Sequence, residues 1–487
     1  MKVLFFGYFT SVDALHGAEL DLIQRHLDAD DGVIMLYCDG NPNGCESNAL
    51  CGIASCYRCV SKRKRGLRFF DGEVTAIPFL EYLTNEDKKK CDVADNVPLD
   101  SIDELKNWRV DNFDLGYGIL SSLISKVRDA HVDLKLHGDY LRRMARSALT
   151  IYYAIRHYLE SEACDKIYVM NGRLAGFRGA VRAGEYMRTP VTTYDEGQDR
   201  KHFALYENSN PHDLDRHIER MMSVWNKADE DGRREVGAAF FEERVRGKIT
   251  GWNKGFVVGQ KCGSLPESWD SEKRNIVIFD SSEDECASIG PRWDNPIYRD
   301  QLDALTNIFD EIKTRDVSDD LRFYIRMHPH MASLDNHYTR TVQNLGAVNI
   351  EIIPPQSKVS SYALLHEAEK ILTFGSTVGI EAVYWRKPSI LAAEAYYRSL
   401  EATHNPENHD ELMRLLLDEA LPCGEKDKTL IYGYYWKTFG EPYKYCAPSG
   451  SSPSDISFKG QAVKGGYWVH HGLRLIGNAE TFVRSRF

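Results

Sequence analysis

Arg326-Met327-His328-Pro329-His330 and Phe374-Gly375-Ser376-Thr377-Val378 carry the strongest structural signal in the chain. The first stretch follows a short apolar run, residues 321–325, and the second begins at the end of another, residues 370–374. Short runs that are rich in β-prone residues and stop at polar ones are typical of buried strands. Ligands of open α/β sheets bind just beyond the carboxyl ends of the strands, so both polar stretches are predicted to lie at a binding edge.

The second stretch is also predicted to begin a helix near Val378. The hydroxyl groups of Ser376 and Thr377 and the first backbone N–H groups of that helix would then face an anion such as a phosphate. A Ser-Thr pair at this position also occurs simply as a helix N-cap. Combined with His328 at another strand end, the pair favours a nucleotide-phosphate site.

The length of 487 residues predicts more than one domain, because single hydrophobic cores stop growing well below that size. We expect an N-terminal Rossmann-like domain over residues 1–262 and a C-terminal Rossmann-like domain over 270–428. The Gly-, Ser- and Pro-rich stretch 259–273 is predicted to link them. The aromatic-rich tail 429–487 is expected to brace both domains. Strands alternate with helices, so the predicted fold class is α/β with parallel sheets.

The net charge of −11 argues against nucleic acid as a partner, because binding to a phosphate backbone requires a basic surface. No run of 18 apolar residues occurs and no secretory signal pattern is present, so a cytoplasmic location is expected. The basic run Lys62-Arg63-Lys64-Arg65 is either a solvated surface or a contact for an anionic acceptor or lipid headgroups. The second alternative predicts peripheral association with the inner membrane surface.

Five of the eleven cysteines fall close together, at Cys38, Cys45, Cys51, Cys56 and Cys59. The two-residue gap between Cys56 and Cys59 allows both thiolates to bind one metal ion. Cys38 and Cys45 would complete a structural zinc or iron–sulfur site, with Cys51 as an alternative ligand. Free thiols and redox chemistry are the other interpretations of the cluster.

Two predicted strands of the N-terminal half also end in polar residues. The run 166–170 ends at Asn171-Gly172-Arg173, and the run 190–194 ends at Asp195-Glu196-Gly197. A carboxylate pair at a strand end, followed by a glycine that permits a sharp turn, suits a general base that deprotonates a hydroxyl. The alternative is a carboxylate pair that caps the following turn.

Three short motifs resemble a known family. They are Tyr194-Asp195-Glu196-Gly197, Arg326-Met327-His328-Pro329 and Ser376-Thr377, which are similar to the signatures of bacterial GT-B sialyltransferases and related nonulosonate or Kdo transferases. The segment 376–388 also looks like capsule polysaccharide biosynthesis proteins. The cysteine cluster and the polar stretch 84–112, which we predict to be a loop or insertion, are not part of that pattern. The resemblance implies a GT-B fold, in which two Rossmann-like domains face a central cleft.

The resemblance also implies a role for each motif residue. Asp195 would be the general base for an acceptor hydroxyl, with Glu196 beside it, and His328 would hydrogen-bond the leaving phosphate. The other expected nucleotide-binding residues are Arg326, Pro329, Ser376, Thr377 and Glu381, the last at the donor ribose. The expected acceptor-side residues are His16, Asn171 and Arg173.

The implied function is that of an inverting, metal-independent glycosyltransferase in surface-glycan assembly. It would transfer an acidic sugar from a CMP-linked donor to a hydroxyl of a glycan or glycolipid acceptor. UDP- and GDP-linked sugars are the second expected class of donor. A nucleotide-sugar epimerase or a polyol-phosphate transferase would use the same phosphate site. A metal-binding scaffold protein is the non-enzymatic alternative. No cofactor is expected to be required for the chemistry.

Overall fold

The computed structural model of the chain describes residues 1–40, 43–247, 259–315, 320–449 and 456–463. The chain is a mixed α/β protein, as predicted. The strands, numbered in chain order, are β1 Lys2–Gly7, β2 Gly32–Tyr37, β3 Val74–Pro78, β4 Lys166–Met170, β5 Val191–Glu196, β6 His202–Glu207, β7 Arg274–Phe279, β8 Leu321–Arg326, β9 Ile350–Ile353, β10 Lys370–Thr373, β11 Ser389–Leu391, β12 Glu441–Pro442, β13 Cys446–Pro448, β14 Ile456–Phe458 and β15 Gln461–Ala462.

The helices surround these strands. In chain order they are α1 Asp13–Asp28, α2 Ile53–Leu67, α3 Asn85–Lys90, α4 Ile102–Asn107, α5 Leu115–Val127, α6 Gly138–Ser161, α7 Ala175–Tyr186, α8 Leu214–Lys227, α9 Glu230–Val245, α10 Gln301–Thr314, α11 His337–Gln343, α12 Ser361–Glu367, α13 Val378–Tyr384, α14 His409–Leu417 and α15 Lys426–Thr438. In the described part of the chain, no helix combines the length and the low polarity needed to cross a bilayer.

The chain divides into two compact units. Unit 1 comprises Met1–Val127, Val132–Asp213 and Phe439–Phe487, and unit 2 comprises Arg128–His131 and Leu214–Thr438. The predicted tail 429–487 is therefore shared between the units, and its residues 464–487 lie outside the described residues. The predicted linker 259–273 belongs to unit 2, where the Lys261 backbone N–H donates to the Lys358 carbonyl oxygen at 2.8 Å.

Unit 1 contains a sheet whose described strands follow the order β12-β6-β5-β4-β1-β2-β3. The strands from β5 to β3 are parallel, as the sequence pattern predicts. At the other edge, β6 and β12 add to the sheet in antiparallel orientation. The cause is a tight connection after β5, in which the Gly197 backbone N–H donates to the His202 carbonyl oxygen at 3.1 Å. A short connection of this kind can join only antiparallel strands.

The stretch 84–112, predicted to be a loop or insertion, contains α3 and α4, so the loop alternative is wrong for the residues of these two helices. Thr84 Oγ1 accepts from the Asp87 backbone N–H at 3.1 Å, and the Asp87 carboxylate accepts from the Thr84 N–H at 3.0 Å. This reciprocal capping starts α3 in spite of its charged composition. Ser101 caps α4 in a similar way, and Leu105 of α4 is fully buried.

A single buried carboxylate holds the C-terminal part of unit 1 against α1. Asp21 of α1 is fully buried. Its Oδ1 accepts hydrogen bonds at 3.0, 2.6 and 3.0 Å from three consecutive backbone N–H groups, those of Lys444, Tyr445 and Cys446. Its Oδ2 accepts from Arg25 Nε at 2.8 Å. The tail is thus anchored through its backbone.

Unit 2 contains a parallel sheet in the order β11-β10-β7-β8-β9. Consecutive residues of its central strand β7 enter two different cores. Ile276 and Ile278 pack on one face of the sheet, whereas Val277 and Phe279 pack on the other. Both faces are therefore buried, which is the usual condition of a parallel sheet.

Two glycines bring α9 and α15 of unit 2 into close contact. A Cβ atom on Gly433 would lie 2.2 Å from the Gly237 carbonyl oxygen, and one on Gly237 would lie 2.5 Å from the Leu430 carbonyl oxygen. No side chain fits at either position without moving one helix. The close approach allows Tyr432 and Trp436 of α15 to line the same cavity as Phe240 of α9.

Asp21→Asn is expected to lower the thermal unfolding midpoint by several degrees. The amide keeps the shape of the side chain but loses the charge and one acceptor oxygen, and a buried donor left without a partner costs about 1–3 kcal/mol. Differential scanning calorimetry measures the shift. Asp30→Asn, at an exposed position just after the same helix, is the matched control and should have no effect. An unchanged midpoint for Asp21→Asn would contradict the anchoring role.

Candidate functional site

Three neighbouring strands of unit 2, β10, β7 and β8, end side by side, and polar residues follow each of them. Together with residues of α9, α12, α13 and α15, these segments enclose a cavity of about 310 Å³. This volume is within the range of small-molecule sites. All the residues predicted to bind the nucleotide line this one cavity, namely Arg326, His328, Pro329, Ser376, Thr377 and Glu381.

His328 offers a neutral hydrogen-bond donor at the end of β8. Its Nδ1 accepts from the His330 backbone N–H at 3.4 Å. Burial, reinforced by the nearby His330, lowers the pKa of His328 to about 3, so the ring is uncharged at pH 7. A neutral imidazole whose Nδ1 is an acceptor carries its proton on Nε2.

The loop between β10 and α13 holds the predicted serine and threonine at the cavity. Gly375 has a left-handed φ of 96°, and a Cβ there would lie 2.9 Å from the Glu394 carbonyl oxygen, so glycine is required. The Tyr397 hydroxyl donates to the Ser376 carbonyl oxygen at 2.6 Å. Ser376 is therefore held through its backbone, and both Ser376 and Thr377 line the cavity.

Arg326, expected to supply positive charge for a phosphate, lines the cavity but is held largely by backbone carbonyl groups. Its Nη1 donates to the Pro354 carbonyl oxygen at 2.7 Å and its Nη2 to the Ser357 carbonyl oxygen at 3.2 Å. Only 2% of the side chain is exposed, and burial lowers its pKa to about 10. Two of the three guanidinium nitrogens thus fix the segment between β9 and α12.

Glu381 is held by two residues that sequence reasoning missed. Its Oε1 accepts from Arg244 Nε at 3.1 Å, and its Oε2 accepts from the Tyr362 hydroxyl at 2.7 Å. Arg244 Nη2 also donates to Thr377 Oγ1 at 3.4 Å. A ribose would have to share this carboxylate with both partners. Arg244 and Tyr362 lie on α9 and α12, away from any motif, so no local pattern indicated them.

Asp280 is a further cavity residue that the sequence analysis did not assign to the site. It directly follows β7, the strand between β10 and β8. Burial raises its pKa to about 8, although hydrogen bonds from the Tyr338 hydroxyl and the His328 backbone and the charge of Arg326 oppose the rise. Its position after a buried strand was the available signal, since the other site residues were found by that rule.

Aromatic side chains form one wall of the cavity. Tyr396 is central to it, with ring centroids 5.2 Å from Trp293 and 5.8 Å from Trp436. Tyr432 lies 5.9 Å from Trp436 and 5.6 Å from Phe240. Such a wall provides flat apolar surface against which a base or a sugar ring can pack.

The predicted carboxylate pair lies in unit 1, at the end of β5. Asp195 Oδ2 accepts from Asn171 Nδ2 at 2.5 Å, and its Oδ1 accepts from the Glu196 backbone N–H at 2.7 Å. Burial raises the pKa of Asp195, and burial together with the Asp195 charge raises that of Glu196 to about 8. Both residues belong to an extended strand, so their side chains point to opposite faces of the sheet. The two carboxylates therefore do not act as a pair on one face.

The predicted acceptor-side residues are not equivalent. Asn171 contacts Asp195 as described, and Arg173 Nε donates to Ser121 Oγ at 2.7 Å. His16 lies inside α1 and not in the loop after β1, and only 3% of it is exposed. Its Nδ1 is 2.9 Å from Glu19 Oε2, and burial lowers its pKa to about 4. His16 is thus part of the interior of unit 1.

The cysteine cluster does not form a metal site in the described residues, which include all five cysteines. No group of three or more His, Cys, Asp or Glu side chains there is arranged to hold a metal ion. Cys56 and Cys59 lie on α2, where Cys59 Sγ accepts from the Thr10 backbone N–H at 3.3 Å. Burial raises the pKa of the Cys45 thiol, which disfavours the thiolate that a metal needs. The zinc or iron–sulfur prediction therefore has no support from the structure.

The basic run on α2 is only half exposed. Lys62 and Arg63 are buried, and the Lys62 ammonium donates to the Thr10 carbonyl oxygen at 2.6 Å. Lys64 and Arg65 are exposed. The expected contact with lipid headgroups or an anionic acceptor is thus limited to these two residues.

No family model matches the sequence, and no curated protein matches it. The matches among solved structures are distant. The KpsC β-Kdo 2,4-transferase of Thermosulfurimonas dismutans is 12% identical with a TM-score of 0.35, covering 56% of this chain and 80% of that one. The KpsC β-Kdo 2,7-transferase of the same organism is 15% identical with a TM-score of 0.34, covering 58% and 79%. The UDP-GlcNAc 2-epimerase of Neisseria meningitidis, bound to UDP-GlcNAc, is 13% identical with a TM-score of 0.31, covering 89% and 97%.

Arg244→Met is expected to destabilise unit 2 by about 3–5 kcal/mol, because it leaves the buried carboxylate of Glu381 without its cation. Adding Glu381→Gln removes that orphaned charge and should restore most of the loss. Thermal unfolding of the two single variants and the double variant gives the coupling energy. Arg246→Met is the control, because Arg246 directly follows the C-terminal end of α9 and its side chain is largely exposed. If the destabilisation of the double variant equals the sum of the two single-variant effects, Arg244 and Glu381 are not coupled.

Proposed function

We propose that the chain is a glycosyltransferase whose unit 2 binds the nucleotide-linked sugar donor. The proposal rests on the cavity at the ends of β10, β7 and β8, which Ser376, Thr377 and the uncharged His328 line together. Strand ends of this kind are where α/β proteins hold the phosphates of nucleotides. The aromatic wall of the same cavity supplies an apolar surface for a base or sugar ring.

The donor that we propose is a CMP-linked acidic sugar, with UDP- and GDP-linked sugars as the second class. The motif resemblance supports the CMP-linked donor, and the cavity lining is compatible with either class. The proposed acceptor is a hydroxyl group of a surface glycan or glycolipid. The departing phosphate would receive hydrogen bonds from His328, Ser376 and Thr377, so the proposed reaction requires no divalent ion.

Asp195 of unit 1 is the general base in this proposal. Burial together with the Asp195 charge raises the pKa of Glu196 to about 8, so Glu196 retains its proton at pH 7 and the role of base is assigned to Asp195. The raised pKa of Asp195 makes it a stronger base than an exposed aspartate. A hydroxyl deprotonated by Asp195 would displace the nucleotide in one step and invert the anomeric carbon.

A nucleotide-sugar epimerase is the second candidate. Asp280 and His328 line the same cavity, so acid–base groups for chemistry on the donor itself are present within unit 2. An epimerase converts the nucleotide sugar without an acceptor, whereas a transferase requires one. Product analysis with the donor alone separates the two.

Nucleotide binding is the first prediction of this proposal. A nucleotide present at a hundred times its dissociation constant should stabilise the protein by roughly 2.7 kcal/mol, which a thermal-shift screen of CMP, CDP, UDP, GDP and dTDP detects. His328→Ala should weaken binding about tenfold or more, because a hydrogen bond to a charged group is worth about 1.5–3 kcal/mol.

His337→Ala, at an exposed position of the same unit, is the control and should bind like the wild type. Selective stabilisation by CMP supports a CMP-linked acidic sugar as the donor. Stabilisation by UDP or GDP alone would instead indicate a UDP- or GDP-linked sugar. The absence of any response would contradict nucleotide binding.

Asp195→Asn should reduce sugar transfer by about 10²–10⁴-fold, because the amide cannot accept the proton of the acceptor hydroxyl. Nucleotide binding should remain unchanged, since Asp195 belongs to unit 1 and the cavity to unit 2. Acceptor-dependent release of the nucleotide measures transfer. Glu207→Gln, at the exposed end of β6, is the control. Full activity of Asp195→Asn would rule out its role as the base.

A further inference from the structure

Asp280 lines the cavity of unit 2, yet the proposed transfer reaction gives it no role. Only 1% of the residue is exposed. Its Oδ2 accepts from the Tyr338 hydroxyl at 3.0 Å, and the oxygen of that hydroxyl accepts from Gln301 Nε2 at 2.5 Å. Because Gln301 supplies a hydrogen to Tyr338, the tyrosine hydrogen is directed at Asp280.

The two carboxyl oxygens of Asp280, Oδ1 and Oδ2, differ in their hydrogen bonding. Within the described ranges, Oδ1 is buried and makes no hydrogen bond of normal geometry, although the His328 backbone N–H lies close enough to the carboxyl group to favour its ionised form. Asp280 lines the cavity whereas Tyr338 does not, so Tyr338 holds the carboxyl from the protein side. Oδ1 is therefore the oxygen whose hydrogen-bonding capacity the protein leaves unused, on a residue that lines the cavity.

Among the described residues, the cation that acts on Asp280 is Arg326, and no ion pair holds the carboxylate. Arg326 of β8 is the cation on this side, and its Nη atoms bind the carbonyl oxygens of Pro354 and Ser357. Glu283, in the segment after β7, adds negative charge, and His328 is neutral. Burial in these surroundings raises the pKa of Asp280 to about 8, so the carboxyl group keeps its proton at pH 7.

We propose that Asp280 binds the nucleotide phosphate as a neutral carboxylic acid, with the hydroxyl at Oδ1 donating a hydrogen bond to a phosphate oxygen. The inference rests on the proposed nucleotide site and adds a condition for binding there. An ionised Asp280 has no hydrogen to donate and repels the phosphate. Proteins do keep buried carboxyl groups neutral so that they act as donors.

The test is the affinity of the wild-type protein for CMP between pH 7.0 and 9.5 at constant ionic strength, by isothermal titration calorimetry. The second pKa of a phosphate monoester is roughly 6, so the ligand is fully ionised over this range. If binding requires the protonated acid, a group with a pKa of about 8 weakens the affinity about thirtyfold between these two pH values. UDP serves as the second probe, over pH 7.0 to 8.5.

Two variants assign the effect to this residue. Asp280→Asn presents a permanent amide donor, so it should bind CMP at pH 7.0 within a few-fold of the wild type and show no loss up to pH 9.5. Tyr338→Phe removes a hydrogen bond that favours the ionised form of Asp280, so the midpoint of the pH profile should move upward. A purely structural role of Asp280 would produce neither result.

Glu285→Gln is the matched control, because Glu285 also lines the cavity and burial beside Asp284 raises its pKa. This variant should retain the pH profile of the wild type. CMP binding with a flat profile in the wild type, or a flat profile in Glu285→Gln, would overturn the role of Asp280 and leave the proposed function standing. Failure of both CMP and UDP to bind at pH 7.0 would overturn the proposed function and the role of Asp280 together.

Discussion

The parallel pairing of β10, β7 and β8 is the constraint on which the cavity of unit 2 depends. Its register aligns Thr373 with Phe279 and Phe279 with Arg326 across the sheet. The residues that follow these positions must leave the sheet along one edge, although they come from distant parts of the sequence. The register is fixed because both faces of the sheet are buried, and a slip of one residue would exchange the side chains of the two cores.

Two carboxyl groups at this edge are accommodated in opposite ways. Glu381 is paired with Arg244 and receives a second hydrogen bond from Tyr362. Asp280 has no ion-pair partner among the described residues and keeps its proton instead. Neither group therefore adds net negative charge to the cavity wall at neutral pH, and an anion can approach both. The cavity can therefore accept an anion although it has few formal charges, because neutral hydrogen-bond donors lie at the strand ends.

The sequence alone predicted those features that depend on local pattern. Buried strands that end in polar residues led to His328 and Ser376, and the structure brings both to one cavity. Asp280 also follows a buried strand, but it is not part of a recognisable motif. Arg244 is distant in sequence and reaches the site only through tertiary packing. Arg326 and His16 were also chosen because of their residue types, which suggested ligand contacts. Their partners, backbone carbonyls and Glu19, become visible only when the fold is known.

The anchoring of residues 444–446 by Asp21 has a consequence for the order in which the chain folds during synthesis. Unit 1 begins with the first strand made and is completed only when these late residues reach α1. Nearly all of unit 2 is synthesised in the interval, as Leu214–Thr438. Domains fold as their sequence emerges from the ribosome, so unit 2 can reach its final structure while unit 1 still lacks its last segment. Oδ1 of Asp21 gains its three backbone donors only at that late stage, so the packing of α1 in unit 1 is completed after most of the chain has been made.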